Sequence, residues 1–102
     1  MLVLVVDGEV DFGTSPELRF AFEPLEGEVV VDLSETTFMD SSGLQVLLTA
    51  TGDQKRRLHV ACPPIGPVAD LLRVAGVGDW FKLYERRDGA IAAFAASAGA
   101  DE

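Results

Sequence analysis

Asp40, Ser41 and Ser42, followed by Gly43, place one carboxylate and two hydroxyls where an apolar run gives way to a helical pattern. Hydroxyls beside a helix N-terminus can do two things. They cap the helix by accepting a backbone N–H, or they carry a phosphoryl group, whose charge the free N–H groups and the positive end of the macrodipole tolerate. Ser42 with Gln45 three residues on has the spacing of a capping box, so the helix is expected to start near Ser42. Ser41 then lies one step outside it, free for modification, and Gly43 lets another chain approach closely. Asp40 opposes a second negative charge next door. A phosphoryl group on Ser41 adds roughly −1.5 to −2 charges and three strong acceptors, so its effect falls on whatever partner surface covers this loop.

The elements that position these residues are legible on both sides. Val29, Val30, Val31 and Leu33 form a β-branched, nearly uncharged run suited to a strand covered on both faces, and Asp32 and Ser34 mark its exit. Beyond the loop, Leu44, Leu47, Leu48 and Thr51 recur at helical spacing and draw one apolar stripe. Strand-like segments at 2–6, 28–33, 58–62 and 81–85 alternate with helical ones at 15–22, 42–54, 65–75 and 88–98. That alternation predicts an α/β domain whose sheet has parallel character and right-handed crossovers. The first helix stops at Glu23 ahead of Pro24, Gly76 and Gly78 terminate the third, and the Ala-rich last helix carries Ile91 and Phe94 as its large apolar groups.

The stretch VVVDLSETTFMDSSGL resembles the signature of the STAS domain, in particular its anti-sigma factor antagonist branch. Two further stretches agree in order and spacing. Val6 to Asp11 is similar to the family's Gly-Glu-Leu-Asp turn, with Val10 in place of Leu, and PPIGPVADLLRVAGVGDW resembles its later helix. The resemblance implies a small four- to five-stranded mixed or parallel sheet with helices packed mainly on one side. It also implies a function: Ser41 is phosphorylated by a cognate anti-sigma factor that is itself a serine kinase. The unphosphorylated form binds that kinase and frees the sigma factor, and a serine phosphatase resets the switch. Asp40 and Ser42 would shape the loop, and Asp11 lies in a turn that the family brings to the same face. The family's extra N-terminal strand is expected to be shortened or missing, since MLVLVVDGEVD leaves little room for it. A bare sheet edge follows, with a homodimer or a partner strand as its candidate cover.

Composition bounds the alternatives. At 102 residues with 48% hydrophobic content, one domain over 1–102 is expected, with 99–102 as a frayed tail. Eight Lys and Arg against seventeen Asp and Glu give a net charge of −9, which repels nucleic acid and anionic lipid. No basic, apolar leader opens the sequence, and no apolar run approaches the ~20 residues of a membrane span, so the cytosol is the expected compartment. Cys62 is the single cysteine and reads as a buried structural thiol. His59, the single histidine, falls inside a strand far from Ser41, which argues against a Ser-His-acid triad. No Cys/His pair has metal-ligand spacing, and neither a dinucleotide loop nor a P-loop is present. No catalytic residue, cofactor or metal of its own is therefore expected, and the resemblance implies a kinase substrate whose catalytic machinery lies on its partner. The competing reading is a non-switching STAS scaffold in a transport or signalling complex. The Lys55-Arg56-Arg57 and Arg86-Arg87 clusters read as solvated loops.

Overall fold

The computed structural model describes residues 2–77 and 80–100, with backbone alone over 94–100. Four parallel strands form the main sheet in the order β1 (Leu2–Val5), β3 (Gly27–Asp32), β5 (Arg56–Ala61) and β6 (Lys82–Tyr84). A second, two-stranded parallel ribbon pairs β2 (Gly8–Val10) with β4 (Thr36–Met39). The helices are α1 (Ser15–Phe22), α2 (Ser41–Gly52), α3 (Pro67–Ala75) and α4 (Arg87–Ala100).

The alternation of β3 explains the layers. Val29, Val31 and Leu33 face one core with Leu58 and Val60 of β5, and α1, α2 and α3 close it with Leu18, Phe22, Leu44, Leu47, Val68 and Leu72. Val30 and Asp32 point to the other face, where α4 covers the sheet through buried Ala90 and the Arg87–Asp32 ion pair at 3.7 Å. β3 is therefore buried on both sides, as its run of valines requires.

Strand and helix limits match the sequence reading within a residue or two, and the sheet is wholly parallel. Three differences have physical causes. The segments 8–10 and 36–39, read as a turn and a loop, are strands. Each is too short and too polar to announce itself, and they pair only with one another. Arg56 is not solvated: it is 7% exposed, and its guanidinium donates to Leu25 O at 2.9 Å and Ala50 O at 3.2 Å. One arginine thus ties the start of β5 to the α1–β3 loop and to α2. The apolar stripe of α2 also takes in Val46 and Ala50, while Leu48 and Thr51 are half-buried.

α1 ends with Glu23 as its cap, ahead of Pro24. Gly76 closes α3 in the left-handed region, φ 66°, where L side chains fit poorly. Gly78, the side chain of Phe94 and residues 101–102 of the expected tail lie outside the described residues, and α4 itself continues to Ala100. No helix among the described residues is long and apolar enough to cross a membrane.

Candidate functional site

The ribbon builds the Ser41 corner. Register partners Val10 and Met39 are both buried, and the Asp40 N–H donates to Val10 O at 3.1 Å, so the ladder runs into the first residue before α2. Asp40 is extended, with φ −108° and ψ −171°, which aims its carboxylate at the helix it precedes. Oδ1 accepts from Ser42 N–H at 2.8 Å and from Gly43 N–H at 3.3 Å, while the Asp40 carbonyl takes the first helical bond, from Leu44 N–H at 3.1 Å.

Asp40, rather than Ser42, is thus the N-cap, and the expected Ser42–Gln45 capping box does not form. Its carboxylate gives charge-assisted bonds to two N–H groups, which a serine hydroxyl cannot match. Ser41 becomes the first helical residue rather than one outside the helix, and it is exposed; Ser42 is half-buried.

Gly43 is buried, and the chain that approaches it is its own. A Cβ built there would lie 2.7 Å from Val10 Cγ1, 2.8 Å from Met39 Cγ and 3.2 Å from Val10 O. Its part in the corner is to let α2 sit tight on the ribbon.

Asp11 follows β2 just as Asp40 follows β4, so the ribbon sets the two turns side by side. Asp11 N–H donates to Thr14 Oγ1 at 2.9 Å, and Thr14 N–H returns to Asp11 Oδ1 at 3.0 Å. Asp11 O also accepts from Ser15 N–H at 2.8 Å, locking the entrance of α1. This reciprocal bonding, and the role of Thr14 in it, went unread in the sequence although the Asp-x-x-Thr spacing signals it. Two large apolar side chains stand exposed at the same end, Phe12 in the Asp11 turn and Phe38 on the outer side of the ribbon.

The remaining reactive side chains are engaged elsewhere. His59 lies on the α4 face of the sheet, Nε2 2.8 Å from Glu28 Oε2 and Nδ1 3.3 Å from the Tyr84 hydroxyl. A neutral ring with its proton on Nε2 satisfies both, donating to Glu28 and accepting from Tyr84. Cys62 is buried, and burial pushes its thiol up from the ordinary value. Among the described residues no cluster of His, Cys, Asp and Glu is arranged to hold a metal ion. The corner offers an exposed hydroxyl at a negatively flanked helix start.

The profile of the family described as "Mlab, STAS domain" matches residues 1–85. Among solved structures, the chain is similar to an anti-sigma factor antagonist from Mycobacterium paratuberculosis, at 26% identity and TM-score 0.77 over 90% of this chain and 84% of that one. It is also similar to the STAS domain of a SulP transporter from Vibrio cholerae, at 19% identity and TM-score 0.71 over 97% of this chain and 84% of that one, a likeness of fold alone. No curated protein matches it significantly.

Proposed function

The chain belongs to the STAS domain family, and from that premise we propose that it is an anti-sigma factor antagonist of the cytosol, switched at Ser41. In its unphosphorylated form it binds a cognate anti-sigma factor serine kinase and so releases the sigma factor. Phosphorylation of Ser41 by that kinase ends the complex, and a serine phosphatase restores it.

The observation that carries this reading is the exposed Ser41 hydroxyl on the first residue of α2, beside a carboxylate already committed to the cap. Because Asp40 holds the Ser42 and Gly43 N–H groups, a phosphoryl group on Ser41 has no vacant pair of donors to fold into. Its charge stays at the surface next to Asp40, where a closely fitted partner would have to desolvate both. Asp11, Ser42 and Gly43 support the corner: Asp11 and Gly43 hold the two helix entrances against the ribbon, and Ser42 lends its N–H to the cap. The Mycobacterium antagonist adds weight through its overall likeness.

The test is intact and peptide mass spectrometry after incubation with ATP and candidate anti-sigma kinases from the same source, with Ser41→Ala in parallel. One phosphoryl group on Ser41, absent from the variant, is the expected result; its appearance on Ser42 would move the switch by one residue. Stable binding to a candidate without any phosphoryl transfer would favour the second reading. That reading, a non-switching STAS scaffold in a transport or signalling complex, draws on the match to the Mlab STAS profile. It predicts that Ser41→Asp leaves partner binding unchanged.

A further inference from the structure

Among the described residues the main sheet has an open edge at β1. Val6 N–H donates to Asp32 O at 3.0 Å. Within a strand the N–H and C=O of one residue point to the same side and alternate along the chain. Leu2, Leu4 and Val6 therefore turn theirs to β3, while Val3 and Val5 direct theirs outward. Among the described residues no strand pairs with that side of β1. The strand reads Leu-Val-Leu-Val, with none of the charges or prolines that normally blunt an edge. Val3 and Val5 are 41% and 49% exposed.

A groove of about 170 Å³ runs along this edge between β1, β2 and α1. Leu4, Val6, Val10 and Leu18 line its apolar part, and the exposed carboxylates of Asp7, Glu9 and Glu17 line the rest, without a Lys or Arg among them. Beyond β1, the Glu9 carbonyl of β2 accepts the Thr14 hydroxyl at 2.9 Å.

We propose that this edge is the docking site for an extended, basic segment of a partner protein, which adds to β1 as a further strand. The outward N–H and C=O groups of Val3 and Val5 supply the main-chain bonds, and alternate side chains of the incoming segment fill the groove. Lys or Arg of the same segment meets Asp7, Glu9 and Glu17 at the groove's rim. A second copy of this chain is the poorer occupant, since it brings the same carboxylates and a like net charge of −9. The site goes beyond the switch reading and is independent of it: Ser41→Ala leaves it intact.

The probe is a short, end-capped synthetic peptide of valine and lysine, followed by amide hydrogen exchange and NMR titration on the full chain. In the free protein the Val3 and Val5 amides exchange fast while Leu4 and Val6 are protected. The peptide saturates and slows Val3 and Val5. Val5→Pro removes an outward donor and no bond of the sheet itself, and it weakens binding roughly tenfold, the loss of about one hydrogen bond. Joint Asp7→Lys and Glu9→Lys replacement weakens binding and flattens its salt dependence. A peptide N-methylated at its bonding residues keeps the charge and fails to bind, a control that requires no variant to fold. Equal binding by that peptide reduces the contact to charge and overturns the proposal. So does protection of Val3 and Val5 in the free protein, whether constant, meaning the chain covers its own edge, or rising with concentration, meaning a second copy does.

Discussion

At the Ser41 corner the cap is a carboxylate, and that choice has measurable consequences. Asp40→Ala removes the acceptor for Ser42 and Gly43 N–H and is expected to cost about 0.5–2 kcal/mol in chemical denaturation, with Asp40→Asn recovering most of it. Gly43→Ala is expected to destabilise despite alanine's better helix propensity. A Cβ 2.7 Å from Val10 Cγ1 and 2.8 Å from Met39 Cγ forces the ribbon off the helix. Such overpacking costs about 1–3 kcal/mol against a propensity gain of about 1 kcal/mol. Cys62 gives a pH signature. Burial raises its thiol above the ordinary value of 9.0, so the native state keeps a proton that the unfolded chain loses. The stability tied to it is complete below that value and is lost as pH rises through the native one. Denaturation at about pH 8 and about pH 10 is expected to show a larger drop for the native sequence than for Cys62→Ala. The Asp-Ser-Ser-Gly pattern revealed a helix entrance at this corner but not which residue caps it, because the Ser42 to Gln45 spacing and Asp40 satisfy two capping patterns two residues apart. Only the extended Asp40 backbone, held by Val10, decides between them.

Among the elements, those that bury apolar side chains periodically were readable. The valine run of β3 and the stripe of α2 declare themselves because each must hide one or both faces. β2 and β4 did not, since their order comes from pairing across a long sequence separation and from a shared seat on Gly43. Arg56 escaped for a related reason. Its neighbours Lys55 and Arg57 are exposed, and only its parity with Leu58 and Val60 along β5 marks the middle residue as interior. Its guanidinium satisfies the Leu25 and Ala50 carbonyls, with Asp53 3.5 Å away. Arg56→Met keeps much of the volume yet strands those carbonyls, and a loss of about 1–3 kcal/mol is expected. Arg57→Met, at an exposed position, is expected to stay within about 0.5 kcal/mol in the same assay.

For the molecule as a whole, the switch reading requires fold and binding to separate. Ser41→Asp sits at an exposed first helical position, where an acid is tolerated. It is expected to keep thermal stability within about 0.5 kcal/mol of the native sequence and to abolish capture of the cognate kinase. Loss of both together would place Ser41 in the fold rather than in the interface. The seating of α2 on the ribbon adds a point about time. Backbone pairing at Val10, the Asp40 cap and the tight Gly43 contact fix Ser41 from three directions. A modification there has no slack to take up, so the two forms would share one backbone and differ as a key differs when a single tooth is filled in. Signalling speed would then be set by how fast enzymes write and erase the mark and how fast partners let go, with no internal rearrangement to wait for.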